Sequence, residues 1–187
     1  MNFEVKNMDV FCEQLVLRKK SAAESIYKYG VIALAAMLIV FLVVFGVTFF
    51  AGSALGVLIF IPLLAAVGVF YLAKKMYGAL DIEFEYSLTN GQFDIDKIIN
   101  RNDRKRMITF ECAEVERFDK FDSSVSTDNY STRIFAANAD SDSLYYFVVN
   151  SQDNGKTIVI IEPNEKVLNG IKHAIPRQMS IEVFGRN

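Results

Sequence analysis

The chain has 187 residues, 52% of them hydrophobic, with no tryptophan, one histidine and a formal net charge of −2. Residues 1–80 carry seven Lys/Arg against four Asp/Glu, and residues 81–187 carry thirteen against eighteen. The acidic C-terminal half lacks the basic footprint that nucleic-acid phosphates require, and the widely separated Cys12 and Cys112 offer neither a disulfide framework nor a zinc site.

In chain order, "NMDVFCEQLVLRKK" sets Met8, Phe11, Cys12, Leu15 and Val16 on one helical stripe. That spacing predicts an amphipathic helix within a juxtamembrane segment, residues 1–29. The helix has two resting places: along the inner leaflet with Arg18, Lys19 and Lys20 at the headgroups, or against the domain that follows. "SAAE", Ser21 to Glu24, is a capping-box pattern that starts a new helix. The next 45 residues, Tyr29 to Ala73, contain no Asp, Glu, Lys, Arg or His. Crossing roughly 30 Å of hydrocarbon takes about 20 helical residues, so this run fits two spans and is too long for one.

The spans are Val31–Phe50 and Val57–Ala73, inside a transmembrane hairpin of residues 30–78 that turns at "AGSALG". Arg18, Lys19, Lys20 and Lys28 precede the first span and Lys74 and Lys75 follow the second, which predicts that both termini are cytoplasmic and the protein is multi-pass in the cell membrane. Tyr27, Tyr29, Tyr71 and Tyr77 fall at the same end and form an expected interfacial belt. Pro62 bends the second helix or lies in its first turns, and Gly52 and Gly56 make a GxxxG at the turn. A cleaved leader fits poorly, because about 30 polar residues precede the run and a second span follows it. With no ionisable group inside either span, no proton relay is expected there.

From Asp81 the period becomes two. In "DIEFEYSLT", Ile82, Phe84, Tyr86 and Leu88 face one way and the acids the other. Asn90-Gly91 is a type I′ turn dipeptide that pairs Leu88 with Phe93 and Tyr86 with Ile95. Further strands are expected from Met107, near Val115, and from Arg133, Leu144 and Thr157, with Asp153-Asn154-Gly155 turning the last pair. Pro163-Asn164 ends the strands and caps a helix, "EKVLNGIKHAI", with Val167, Leu168, Ile171 and Ile175 on one stripe. The expected cytoplasmic domain, residues 79–176, has about seven antiparallel strands and one C-terminal helix; residues 177–187 are a tail.

This order resembles the pleckstrin-homology-like (PH-like) fold, and more narrowly the bacterial membrane proteins in which two adjacent spans precede a bacterial PH-like domain. The likeness is carried by "EYSLTNGQFDIDKI", "MITFECAEVERF" and "IIEPNEKVLNGIKHAI". It implies an α+β chain: a transmembrane helical hairpin, then a PH-like antiparallel barrel or bent sheet closed by a helix. The function implied is a membrane-tethered binding or scaffold module rather than an enzyme. Lipid-reading members of the wider superfamily hold headgroups with basic residues in and around the first inter-strand loop. Here that loop reads as "TNG", short and without positive charge, so recognition by that route is not expected.

The remaining candidate surface is "NRNDRKR". The first strand leaves the membrane and the second returns, so this turn comes back near the bilayer, where each basic residue contributes about 1 kcal/mol at an anionic leaflet. The expected docking set is Arg101, Arg104, Lys105 and Arg106, with Arg18, Lys19, Lys20, Lys74 and Lys75. The competing expectation is a solvated turn paired with acids such as Asp94 or Glu111. No catalytic residue, cofactor or metal is expected. His173, the sole histidine, sits on the C-terminal helix without a nucleophile motif. "DSSVSTD", Asp122 to Asp128, lacks the Gly and closing Glu of a calcium loop and reads as a mobile polar connector. Expected partners are the anionic inner leaflet and a membrane or cytoplasmic protein, a second copy of the chain included. The alternative is an accessory subunit of a transporter or cell-envelope complex that makes its contacts through the spans.

Overall fold

The computed structural model describes residues 11–185 apart from 53, 123, 139, 152 and 153. It divides into a helical unit, Lys19–Ile82, and a unit built from the two flanking stretches.

The helical unit opens at Ser21, whose extended backbone is the N-cap of α1, Ala22–Phe50. The Ser21 N–H donates to the Glu24 carboxylate at 3.1 Å, the capping box read from the sequence. Gly52, at φ +80°, turns the chain. A short 3₁₀ stretch, Gly56–Ile59, then leads into α2, Phe60–Gly78. Pro62 lies in the first turn of α2, where its missing N–H breaks no helical bond. The close approach between the helices uses Gly46 rather than the glycines of the GxxxG: a Cβ on Gly46 would stand 2.8 Å from Pro62 Cγ. Both helices are long and apolar enough to cross a membrane, and only 11% of each apolar window is buried. Met37 and Leu64, 74% and 75% exposed, illustrate the surface. Most of both apolar windows is thus exposed among the described residues.

Among the described residues, the second unit holds eight strands in two four-stranded sheets. β1 (Phe11–Leu17), β2 (Ile82–Thr89), β3 (Gln92–Ile99) and β4 (Asp103–Glu111) form the first, in that order. β5 (Arg117–Lys120), β7 (Tyr145–Ser151), β8 (Gly155–Ile161) and β6 (Thr132–Ala136) form the second, in that order. Two helices follow, α3 (Glu165–Ala174) and α4 (Arg177–Phe184). The α+β architecture stands as expected. Asn90 and Gly91 both take positive φ, 51° and 95°, as a type I′ turn demands. Asn164 caps α3 by accepting from the Val167 N–H at 2.9 Å.

Three expectations change. Phe11–Leu17 is a strand rather than an amphipathic helix, and it pairs antiparallel with β2 from Phe11↔Thr89 to Leu17↔Glu83. Its apolar residues divide between two faces, Cys12 and Val16 inward and Phe11, Leu15 and Leu17 outward, which imitates a helical stripe. Met8, the first residue of that stripe, lies outside the described residues, as does Asp153 of the last turn. Next, β6 pairs parallel with β8, so the second sheet is mixed. The stretch treated as a tail begins with α4, which sets Phe184 against Phe118 of β5 at 6.1 Å.

β1 is tied to the end of β8 by one side chain. Gln14 Nε2 donates to the Glu162 carbonyl at 2.8 Å, and its Oε1 accepts from the Asn164 N–H at 2.7 Å. Tyr86 makes the matching link from β2: its hydroxyl donates to the Ala136 carbonyl and accepts from the Glu162 N–H at 3.2 Å. Burial holds the Tyr86 pKa well above its ordinary value, so the hydroxyl keeps its proton. Tyr86→Phe strands a buried carbonyl and N–H. The expected cost is about 1–3 kcal/mol, read as a lower urea midpoint at unchanged m-value.

β7 and β8 are buried on both faces, which is why "YYFVV" and "TIVII" are continuous apolar runs. Their outward residues Tyr146, Val148, Ile158 and Ile160 form a second core with Ala137 and Leu144. Phe121, Val125 and Tyr130 pack over that core. Val125, inside the segment read as a mobile polar connector, and Phe121 and Tyr130 on either side of it thus cover part of the second sheet.

Candidate functional site

The candidate surface starts where chain leaves sheet. Leu17 and Glu83 are register partners, so residues 18–81 are one long connection between neighbouring strands β1 and β2. The β3–β4 turn, Asn100 to Asn102, lies at this same end, since Arg101 Nε reaches Glu83 at 3.2 Å. Asn100 and Arg101 both have positive φ, 54° and 55°. Asn tolerates that region, whereas Arg there costs about 1–2 kcal/mol of backbone strain.

The basic turn is met by acids. Arg104 pairs with Glu85 at 2.5 Å and lies 3.9 Å from Asp96. Arg106 pairs with Asp94 at 3.0 Å and with Asp96, and donates to Thr109 Oγ1 at 2.8 Å. The hydrogen bond to Asp96 raises the Arg106 pKa further. These contacts build a cross-strand ladder on the outer face of the first sheet, with four acids, Glu83, Glu85, Asp94 and Asp96, against three arginines. Asp94 is the partner the sequence allowed for; Glu83, Glu85 and Asp96 are additional. A register shift at Ile95/Asp96 decides which acid faces which arginine, and no composition or periodicity signals it. Lys105 stands outside the ladder, directly opposite Lys97.

The ladder is uneven in burial. Asp96 is 6% exposed, while the Arg101 side chain is 81% exposed. Arg106→Ala strips the buried carboxylate of its main partner and is expected to cost about 1–3 kcal/mol. Arg101→Ala removes an exposed pair worth at most about 1 kcal/mol, and relief of its strained backbone offsets none of that, because Ala is strained there too. Thermal unfolding of the two variants ranks them.

In the helical unit, the residues expected at the membrane surface gather at one end of the hairpin. Asp81 accepts from Lys20, and Lys28 Nζ lies 3.4 Å from the same carboxylate and 3.5 Å over the Tyr77 ring. The contact with Lys20, aided by Lys28, holds the Asp81 pKa below the usual carboxylate range. Its stabilising contribution is therefore present above the unfolded-state value and is lost as pH falls through the depressed folded one. Tyr27, Tyr29 and Tyr71 are exposed, and so are Lys74 and Lys75 at the end of α2.

Groups of acid, histidine and cysteine side chains that could hold a metal ion are not found among the described residues. His173 is exposed on α3 and its Nδ1 lies 2.7 Å from the Asn169 carbonyl. Cys12 and Cys112 are buried free thiols, and burial pushes the Cys112 pKa up to about 12.

A family model described as "Bacterial PH-like domain (DUF6106)" matches residues 8–181, from just before β1 into α4. The chain belongs to that family. The match runs through α1 and α2, so the helix pair lies inside the bacterial PH-like pattern. No curated protein and no solved structure matches the chain. Within this PH-like domain the strand numbering moves by one from the sequence reading. Among the described strands, "TNG" is the second connection, and the first is the helix pair itself.

Proposed function

We propose that this bacterial PH-like protein is a non-enzymatic binding module, held at the inner face of the cell membrane by its helix pair and presenting its β domain to a protein partner or to a second copy of itself. The observation that carries the reading is the insertion of α1 and α2 between two hydrogen-bonded neighbours, β1 and β2. Lipid-reading PH-like proteins place headgroup-binding residues in and around that connection; here the connection is the anchor. Insertion of the helix pair in the bilayer, in covalent continuity with β1 and β2, takes the place of headgroup recognition. The flanking Lys and Arg residues favour a cytoplasmic location for both termini.

Electrostatic docking to an anionic leaflet then rests mainly on Lys105, Lys74 and Lys75, each contributing about 1 kcal/mol. Arg101, Arg104 and Arg106 add less, because acids already meet their charge; Arg18, Lys19 and the Asp81-bound Lys20 precede α1 and join the set from the N-terminal side. Partner binding falls to the β domain, whose edge strands can accept an added strand.

A second reading, an accessory subunit that recognises its partner through the spans, is favoured by an open apolar groove of about 630 Å³ between α1 and α2. Ile26, Gly30, Leu34, Leu38, Leu72 and Met76 line it. Crosslinking the full-length chain in its native membrane, with the helix pair either intact or replaced by an unrelated hairpin, separates the two. Capture of the same partner by both forms supports the domain reading. Loss on replacement supports recognition through the spans.

A further inference from the structure

We infer that the outer face of β1 is a membrane-seating strip, in which Leu17 and then Leu15 rest at the boundary between headgroups and acyl chains of the bilayer that holds the helix pair. The inference builds on the reading of α1 and α2 as membrane-spanning. Among the described residues of the β unit, five large apolar side chains are exposed, and three of them lie on this one face: Phe11, Leu15 and Leu17, at 54%, 53% and 60%. The other two, Phe135 and Ile181, stand on separate elements. Glu13 shares this face and stands between Phe11 and Leu15, so the apolar patch proper is the adjacent pair Leu15 and Leu17, an interaction surface rather than scattered exposure.

The surroundings of the strip fit a lipid surface. Leu17 is followed at once by Arg18, Lys19 and Lys20, and only four residues separate it from the start of α1. Extended chain spans at most about 3.6 Å per residue, so Leu17 stays within roughly 18 Å of Ala22. Register sets Leu17 opposite Glu83 and Leu15 opposite Glu85, acids that an anionic leaflet would repel. Arg101 and Arg104 neutralise them, and these arginines also line the shallow groove formed with Leu15, Leu17 and Ile98. An aliphatic floor bordered by arginines that cancel its acids, with the Arg18–Lys20 run leading to the helix pair, is the composition of an interfacial element; Glu13, on the far side of Leu15 from Leu17, stays in water. The strained, outward-turned Arg101 belongs to that border. The strip is also graded. At about 3.3 Å per residue Leu15 lies near 7 Å and Phe11 near 20 Å from Leu17, whereas interfacial elements sink about 5–10 Å. Leu17 and Leu15 therefore reach the boundary, and Phe11 does not.

The chain has no tryptophan, so one introduced indole reports alone. The full-length protein, reconstituted in anionic vesicles with brominated acyl chains, would carry Leu17→Trp, Leu15→Trp, Phe11→Trp, Phe135→Trp or, within α1, Phe41→Trp. All but Phe135, at 40%, are more than half exposed, so the indole does not disturb the core. The expected result is blue-shifted emission with strong bromine quenching at position 17, weaker quenching at 15, and the unquenched spectrum of a wetted indole at 11 and 135. Equal quenching at 17 and 135, or none at 17 and 15, overturns the inference. So does a blue shift at 17 without quenching, which would mean that protein covers the strip. Phe41→Trp separates the layers of the reading: quenched there but not at 17, the anchor stands and the seating fails; unquenched at 41, both fail.

Discussion

Removing residues 18–82 and joining Leu17 to Glu83 through Asn-Gly is expected to yield a soluble, folded β domain, while a fragment that begins at residue 80 is not. Leu17 and Glu83 are opposed in register, so a two-residue turn closes them without shifting either strand. The shorter fragment loses β1 altogether. Cys12 and Val16, 7% and 5% exposed, leave the core with it, and each fully buried side chain of this kind contributes about 1.5–3 kcal/mol. The Glu162 carbonyl and Asn164 N–H lose Gln14, and β2 becomes an unpaired edge. Together these exceed a sizeable share of the about 5–15 kcal/mol that stabilises a domain. A cooperative urea transition and a monomeric elution volume for the spliced chain, against aggregation of the fragment, are the outcomes to measure.

Phe147→Ala is expected to destabilise the β domain by about 3–5 kcal/mol, enough to consume most of the stability of a marginal fold. Phe147 is fully buried where the two sheets meet. Its ring centroid lies 5.4 Å from Phe93, 5.0 Å from Phe110 and 4.7 Å from Phe118. Truncation removes three aromatic contacts and leaves a cavity walled by rigid rings, which collapse poorly. Phe135→Ala, on the exposed side of β6, should stay within about 0.5 kcal/mol and serves as the comparison. Chemical denaturation of the full-length protein in detergent, followed through the β signal, reads both.

Much of this fold is legible in the sequence because local chemistry and burial agree. Asn90-Gly91 supplies the two positive φ values its turn needs, Asn164 supplies the cap, and Ser21 with Glu24 supplies the capping box. The helix pair is written as an uncharged run. β1 is hidden because a half-buried strand with apolar residues on both faces repeats much as a helix does. Only the free edge of β2, distant in sequence, decides between them. The cover over the second sheet is hidden because Phe121, Val125 and Tyr130 are dispersed among Ser, Asp and Thr. The candidate surface was legible as residues and not as charges. Arg101, Arg104 and Arg106 read as a cationic knot, with pairing to acids such as Asp94 or Glu111 as the competing expectation, until strand register brings Glu83, Glu85 and Asp96 against them as well.

Membrane placement is most directly read by thiol accessibility in sealed right-side-out vesicles from cells that express the full chain. The two native cysteines are buried, so an added one reports alone. With α1 and α2 crossing the bilayer and the β domain inside, a membrane-impermeant maleimide labels Ala54→Cys, in the connector between the helices, without lysis. Asn169→Cys, on the exposed face of α3, labels only after the vesicles are opened. Labelling of Asn169→Cys in sealed vesicles, or protection of Ala54→Cys until they are opened, would contradict the anchor, its orientation and the seating of β1 together.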